Sequence, residues 1–129
     1  MNPYMPKSKS DVHLTPDRVY DIILEEWQYR KDQLFDPCPE NPTFDGLEIE
    51  WKDVNYVNPP YSLLKEFVNK AIGYADKKTT ILLLPSKTDQ EWFHNLKPWW
   101  NQIVWIRKRL KFKNHKFHAT QPHFLVLIQ

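Results

Sequence analysis

Glycine is scarce in this chain of 129 residues, and so is cysteine. The only glycines, Gly46 and Gly73, lie too far apart to form a glycine-rich phosphate-binding loop. The single cysteine, Cys38, excludes an intrachain disulfide and fits a reducing compartment. No apolar run approaches the roughly 20 residues that cross a bilayer, and the stretch from Met1 to Ser10 lacks a signal-peptide core. We therefore expect a cytoplasmic protein with no membrane segment.

Acidic residues are missing from the last part of the chain. All 16 of them lie at or before Glu91, whereas seven lysines and arginines occur between Trp92 and Gln129. The net charge of +2 therefore hides a strong asymmetry along the chain. Such a distribution indicates a basic face that binds a polyanion, and the alternative is a solvated charged hairpin.

The apolar pattern predicts an α/β sheet that begins with a helix. Thr15 is a good N-cap, Pro16 fits the first helical turn, and apolar side chains follow at helical spacing to about residue 29. Two more helices are predicted at 62–76 and 89–96. Strands are predicted at 33–36, 47–51, 54–57, 79–84, 102–107 and 123–128, the last two as a C-terminal hairpin. Residues 1–11 are expected to form a flexible arm, and residues 12–129 one domain.

The predicted elements assign several apolar, aromatic and histidine side chains to the core or to the surface. The continuous apolar run at 79–84 is typical of a strand that is covered on both faces. Trp92 and Phe93 are expected in the core, and Trp99 and Trp100 are expected to cap the core rather than stack on bases. No metal site is predicted. The histidines of the basic C-terminal part are expected to be solvated or to contact phosphates, namely His115, His118 and His123.

The tetrapeptide Asn58-Pro59-Pro60-Tyr61 follows a predicted strand and precedes a predicted helix. In an α/β sheet this is the carboxyl end of a strand, where ligands bind. The prolines push Asn58 into an extended conformation, so that its amide oxygen and the Pro59 carbonyl provide two acceptors for an exocyclic amino group. Tyr61 offers a flat face to an aromatic ring. The alternative is a rigid turn with no chemical role.

These acceptors suit the methylation of an amino group. An amino group conjugated to a heteroaromatic ring is a poor nucleophile. Acceptors for its hydrogens raise the electron density on nitrogen as it attacks an electrophilic methyl group. The remaining requirement is the alignment of nitrogen and methyl donor, so that no covalent enzyme intermediate and no nucleophilic role for Cys38 are needed.

In order along the chain, several short motifs resemble those of the phage-type DNA N-6-adenine methyltransferases, the small Dam-like enzymes of bacteriophages and archaeal viruses. The resemblance covers about residue 14 to the C-terminus. Asn-Pro-Pro-Tyr is its most specific part. The motifs are Thr15-Pro16, Asp36-Pro37-Cys38, Asp45-Gly46-Leu47, Val57-Asn58-Pro59-Pro60-Tyr61-Ser62, Leu84-Pro85, Glu91-Trp92-Phe93-His94 and Arg109-Leu110-Lys111-Phe112.

The resemblance implies a Rossmann-like methyltransferase fold, S-adenosylmethionine as cofactor and DNA as partner. It implies direct methyl transfer to a flipped adenine, because N6 is paired and stacked in a duplex. The catalytic residues would be Asn58, Pro59, Pro60 and Tyr61. The cofactor would be bound by Thr15, Pro16, Asp36, Pro37 and Asn58. DNA phosphates would be contacted by Arg107, Lys108, Arg109 and Lys111.

The chain departs from the family pattern between Asp36 and Asn58. The stretch from Pro37 to Pro42 has no glycine, although methyltransferases of this fold usually have a glycine-rich turn there. The gap of 22 residues is too short for the usual intervening strands and helices, since one βαβ crossover takes roughly 30 residues. We therefore expect a reduced fold, whose cofactor pocket is smaller, completed by a second subunit, or lost.

Three alternatives remain open at this stage. The acceptor could be N4 of cytosine, an adenine of RNA or a glutamine amide of a protein. The fold could also serve as a DNA-binding or interaction module that no longer binds the cofactor. Both a monomer and a homodimer are compatible with the sequence.

Overall fold

The computed structural model describes residues 13–129. Three helices are present, namely α1 (Asp17–Trp27), α2 (Leu64–Gly73) and α3 (Glu91–Asn95). Four strands accompany them, namely β1 (Val54–Val57), β2 (Thr79–Pro85), β3 (Ile103–Trp105) and β4 (His123–Ile128). The predicted flexible arm of residues 1–11 lies outside the described residues.

The strands form a single mixed sheet in the order β1-β2-β4-β3. Strands β1 and β2 are parallel, whereas β4 runs antiparallel to β2 on one side and to β3 on the other. One isolated parallel bridge, between Phe35 and Asn55, extends the sheet beyond β1. The predicted α/β class is confirmed, with a mixed sheet in which the last two strands, β3 and β4, pair antiparallel.

The two faces of the sheet have separate apolar cores. On one face, Leu82 and Leu84 of β2 pack with residues of α2 and α3, including Phe67 and Phe93. On the other face, Ile81 and Leu83 pack with α1 and with residues from the segment between β3 and β4. The apolar run of β2 is therefore covered on both sides, as the sequence predicted.

The residues around α3 belong to the first of these cores. Trp92 and Phe93 are buried, which confirms their prediction. The helix ends at Asn95, and a 3-10 helix over Lys97–Gln102 brings Trp99 and Trp100 against the core. The Trp100 indole donates to the Phe93 carbonyl at 3.0 Å. The two tryptophans therefore cap the core, as predicted.

The segment between Phe35 and β1 differs from the prediction. The strand predicted at 33–36 is reduced to the Phe35 bridge, and the strand predicted at 47–51 is absent. Asp45 is the physical reason, because its carboxylate accepts from the Leu47 N–H at 2.9 Å and its carbonyl accepts from the Glu48 N–H at 3.0 Å. These bonds form a local turn that competes with a strand.

Gly46 lies in this turn, and we expect its replacement to destabilise the fold. A Cβ on Gly46 would lie 2.0 Å from the Pro37 carbonyl oxygen, whereas a Cβ on Gly73 would have no neighbour within 4 Å. Gly46→Ala should lower the free energy of unfolding by about 1–3 kcal/mol, the usual cost of overpacking. Gly73→Ala is the matched control. Urea unfolding of both variants tests this, and equal stability of Gly46→Ala and wild type would contradict it.

Among residues 13–129, none of the helices combines the length and the apolar character that crossing a bilayer requires.

Candidate active site

One edge of the sheet collects the polar residues that the sequence singled out. Because β1 and β2 are parallel, their carboxyl ends meet at this edge, and Asn58 directly follows β1. Strand β4 runs the opposite way and begins there, with His123 paired to Pro85 of β2. The Ile106 N–H donates to the His123 carbonyl at 3.1 Å, so the chain also leaves β3 at this edge.

The Asn58 side chain is held by its amide nitrogen. This nitrogen donates to the His13 carbonyl at 2.5 Å and to the Thr15 hydroxyl at 3.0 Å. A carbonyl only accepts, so the nitrogen and not the oxygen of the amide must face His13. The amide oxygen is therefore turned away from both of these partners.

Thr15 positions Asn58 instead of capping α1. Its hydroxyl lies 2.8 Å from the Tyr56 hydroxyl and 3.0 Å from the Asn58 amide nitrogen. The N-cap of α1 is Pro16, which makes no side-chain capping bond. The predicted helix start was therefore one residue early and its predicted cap was wrong, because Thr15 is used in contacts with β1 and with the loop after it.

Tyr61 is oriented by a buried histidine. The Tyr61 hydroxyl lies 2.9 Å from His123 Nε2, and His123 Nδ1 lies 3.2 Å from the Gln121 carbonyl. Because that carbonyl only accepts, Nδ1 carries the proton and Nε2 accepts from Tyr61. His123 is 2 % exposed, and burial lowers its pKa to about 4, so the ring is neutral at pH 7.

His123 thus corrects one expectation from the sequence. It is neither solvated nor available to a phosphate, because it is the first residue of the fully buried strand β4. His13, unlike His123, was not singled out from the sequence. Its ring centroid lies 4.2 Å from that of Tyr61, and its carbonyl holds Asn58. Neither role follows from local sequence, since both depend on residues far away along the chain.

Asp36 follows the Phe35 bridge at the same edge. Its carboxylate accepts from the Cys38 N–H at 2.8 Å, and burial raises its pKa to about 6. Burial raises the pKa of Tyr56 well above its usual value, and the Asp36 charge adds to this shift. The Tyr56 hydroxyl lies 2.8 Å from the Thr15 hydroxyl. Cys38 is half-buried with a raised thiol pKa, again caused mainly by burial.

The pKa values of Asp36 and His123 predict opposite effects of pH on stability. Between pH 3.8 and about 6 the folded chain binds more protons at Asp36 than the unfolded chain, so this group lowers stability as pH rises. Between about pH 4 and 6.5 the unfolded chain binds more protons at His123, so this group raises stability as pH rises. The two effects oppose each other in the wild type.

Two substitutions should separate these effects. Relative to wild type, Asp36→Asn should gain stability as pH rises from 4 to 6, and His123→Gln should gain stability as pH falls from 6.5 to 4. Each change should be on the order of 2 kcal/mol. Chemical unfolding at a series of pH values measures the difference in unfolding free energy between each variant and the wild type. All other titrating groups are common to the two proteins, so they cancel in this difference. Parallel stability profiles for the three proteins would contradict this account.

The predicted phosphate-binding residues form one exposed segment, which we call the basic strap (residues 107–111). The side chains of Arg107, Lys108, Arg109 and Lys111 are exposed, while Leu110 is buried and anchors the strap. The Arg18 guanidinium donates to the carbonyls of residues 107, 108 and 109 at 3.0, 3.2 and 3.3 Å. Arg18 was missed from sequence because it lies in an otherwise acidic helix.

Residues 112–121 continue from the basic strap and form what we call the arch. Two grooves border Tyr61. The first, of about 450 Å³, is lined by Tyr61, His13 and the arch. The second, of about 470 Å³, lies between Tyr61, the start of α2 and the segment after β2, with Lys87 and Gln90 on its wall. Both have the size of small-molecule sites.

Across residues 13–129, no three His, Cys, Asp or Glu side chains are grouped as metal ligands would be. The four residues of the predicted catalytic loop and the predicted cofactor residues lie at one sheet edge, and the basic strap starts from the same edge.

These features define an α/β protein with a polar site at the carboxyl ends of parallel strands. The family model described as DNA N-6-adenine-methyltransferase (Dam) matches residues 3–123. Since this match covers most of the chain, the protein belongs to that family, which confirms the resemblance seen in the motifs. The searches of curated proteins and of solved structures gave no significant match.

Proposed function

We propose that the protein is an S-adenosylmethionine-dependent methyltransferase that methylates N6 of a flipped adenine in DNA, held by the Asn58-Pro59-Pro60-Tyr61 loop. Family membership supports DNA adenine methylation in general. The observation that carries the finer proposal is the position of Asn58. Its amide is fixed through nitrogen, and its oxygen remains as an acceptor at the carboxyl edge of β1.

The loop acts on the amino group of the base. The oxygens of Asn58 and Pro59 accept the two N6 hydrogens, which raises the electron density on nitrogen where positive charge develops during attack. Because the Asn58 amide is already held by His13 and Thr15, little reorganisation accompanies the reaction. The two prolines restrict the backbone so that both oxygens keep their spacing.

Tyr61 supports the base from its face. Its ring is 40 % exposed and borders both grooves, while His123 holds its hydroxyl and His13 packs against its ring. The ring is therefore fixed and still accessible to a base. Stacking on such a ring replaces part of the stacking that the adenine loses when it leaves the duplex.

The residues around Asp36 fit the proposed cofactor. None of the ion pairs among the described residues involves Asp36, although the residue is half-buried. Such a carboxylate suits a ligand that bears an ammonium group or hydroxyl groups. Thr15 and Pro16 before α1, together with Pro37 and Asn58, complete the set that would hold the ligand. When bound, S-adenosylmethionine would supply an electrophilic methyl group on a sulfonium.

The basic strap would hold the DNA backbone beside this loop. Its four basic side chains, of Arg107, Lys108, Arg109 and Lys111, are exposed, and the strap leaves the sheet at the edge where Asn58 lies. Contacts with phosphates fix the orientation of a duplex without reading its sequence.

A cofactor titration followed by a methylation assay tests the proposal. We expect S-adenosylhomocysteine to give a saturable calorimetric signal, and labelled methyl groups to enter adenine N6 of unmethylated phage DNA. RNA and protein acceptors serve as controls. Label in cytosine, RNA or protein would overturn the assignment of the acceptor.

One observation favours a second candidate, a DNA-binding module without cofactor. Residues 36–53 contain neither helix nor strand, so the described structure has little framework around Asp36. That candidate predicts salt-dependent DNA binding with no heat from S-adenosylhomocysteine. The same titration therefore decides between the two functions.

A further inference from the structure

Strand β4 begins with its only polar side chain, that of His123. The other five residues of the strand are apolar, and all six are buried. Taking an imidazole out of water costs free energy unless its nitrogens are hydrogen-bonded. A leucine would fill the same place in this apolar strand without that cost. Packing alone therefore does not account for the histidine, and its hydrogen-bond partners must be considered.

The His123 ring is fixed both by the sheet and by the arch. In the backbone, the Ile106 N–H donates to the His123 carbonyl at 3.1 Å. In the side chain, Nδ1 lies 3.2 Å from the carbonyl of Gln121, the last residue of the arch, and the Phe112 ring packs nearly perpendicular to the imidazole with centroids 5.4 Å apart. These contacts fix the direction of Nε2, and the Tyr61 hydroxyl lies 2.9 Å from that nitrogen.

Tyr61 lies on an exposed turn of the chain. It is the first residue of the 3-10 turn Tyr61–Leu63, whose three residues are all exposed. His13 packs against its ring with centroids 4.2 Å apart. The hydroxyl is at the far end of the side chain, so a hydrogen bond there restricts rotation of the ring more directly than contacts near the backbone. The buried acceptor on His123 therefore supplies a restraint that the turn itself lacks.

We propose that His123 is a positioning residue for methyl transfer, which acts by holding the Tyr61 ring in the orientation that stacks on the flipped base. The inference rests on the proposed function and deepens it by naming a residue outside the catalytic loop on which turnover depends. The base must present N6 to the oxygens of Asn58 and Pro59 while its ring lies on Tyr61. A Tyr61 ring that rotates would let N6 leave this alignment, and small misplacements of reacting atoms are costly to the rate.

Two variants remove the hydrogen bond from opposite ends. His123→Leu replaces the acceptor by an apolar side chain that suits β4, and Tyr61→Phe removes the hydroxyl but keeps the ring. Each should lower the single-turnover rate on unmethylated phage DNA by roughly 10-fold. DNA affinity should stay close to that of the wild type, since neither residue belongs to the basic strap. Because both variants remove the same bond, the double variant should be no slower than the slower single variant.

A conservative variant and a control separate positioning from stability. His123→Gln keeps an acceptor, because the amide oxygen of glutamine can take the place of Nε2, and it should recover most of the lost rate. Val126→Ala is the matched control, since Val126 is buried in the same strand and packs in the core with α2 and α3. Its truncation should lower stability and leave the rate of the folded protein unchanged. Urea unfolding of every variant measures stability beside the rate.

The possible outcomes distinguish failure of this inference from failure of the proposed function. A wild-type rate in Tyr61→Phe or in folded His123→Leu would overturn the inference, and so would rate losses that add in the double variant. Tyr61→Phe keeps the test decisive if His123→Leu does not fold. When the wild type transfers methyl groups and these variants match it, only the inference fails. A wild type that transfers none overturns the proposed function and the inference with it.

Discussion

Asn58→Ala is expected to reduce methyl transfer to DNA by about 100-fold or more, which is the usual cost of removing one preorganised polar group at a developing charge. The structure explains why the loss should fall on turnover. The Asn58 amide is held by the His13 carbonyl and the Thr15 hydroxyl, so its oxygen is in place before the substrate arrives. The basic strap does not include Asn58, so DNA affinity should stay close to that of the wild type.

A second variant should weaken the hydrogen bonds that hold the Asn58 amide while the amide itself stays in place. Thr15→Val takes away one of the two acceptors that hold the Asn58 nitrogen, and it should cause a smaller loss than Asn58→Ala. Asn101→Ala, an exposed asparagine in the 3-10 helix before β3, is the surface control. Single-turnover rates on unmethylated DNA measure all three variants. Wild-type rates for Asn58→Ala, with intact folding, would refute the role assigned to this loop.

The sequence predicted the parts of the fold that have strong local signals. Strand β2 is a continuous β-branched and apolar run, and α1 has apolar residues at helical spacing. Both patterns predict elements with buried side chains, and both elements have nearly the expected bounds. The alternating apolar and polar residues at 47–51 are a weaker signal, because the segment is short and no continuous apolar run requires a strand there. There the Asp45 side chain formed a turn, Leu47 and Ile49 pack partly buried against the core, and Trp51 is fully buried, with its indole donating to the Gly46 carbonyl at 2.8 Å.

Only part of the candidate site could be predicted from the sequence. The Asn58 loop could be found because it joins a strand to a helix with two prolines and two groups of fitting chemistry. The residues that hold it could not be found, since His13 contacts the loop across 45 positions and His123 contacts it across 62. A motif shows which groups do the chemistry, whereas the groups that orient them are selected by the tertiary fold.

The residues at the sheet edge and the residues of the basic strap differ in charge. At the sheet edge burial lowers the pKa of His123 to about 4, so its ring is neutral at pH 7, whereas the Asp36 carboxyl, with its pKa raised to about 6, is mostly ionised. The basic side chains lie outside, on the basic strap. We infer that the strap supplies most of the affinity for DNA and that the edge supplies the selectivity for an uncharged, amine-bearing base.

The triple substitution of Arg107, Arg109 and Lys111 by alanine should therefore weaken DNA binding at 0.15 M salt by on the order of 10- to 100-fold, because each side chain is expected to neutralise one phosphate. The logarithmic slope of affinity against salt concentration should become shallower by about 3, from roughly 0.9 per lost phosphate contact. Lys108, which has a left-handed φ of 65°, is left unchanged so that the backbone of the strap keeps its native residue there.

Lysines at the opposite edge of the sheet provide the control for this measurement. Lys52 and Lys77 are exposed and precede β1 and β2, so they lie away from the basic strap. Replacing both by alanine should leave the slope nearly unchanged, although it removes two positive charges. Equal changes per charge in the two variants would mean that DNA responds only to the net charge. A slope that depends on the strap alone would place the duplex across the edge where Asn58 and Tyr61 lie.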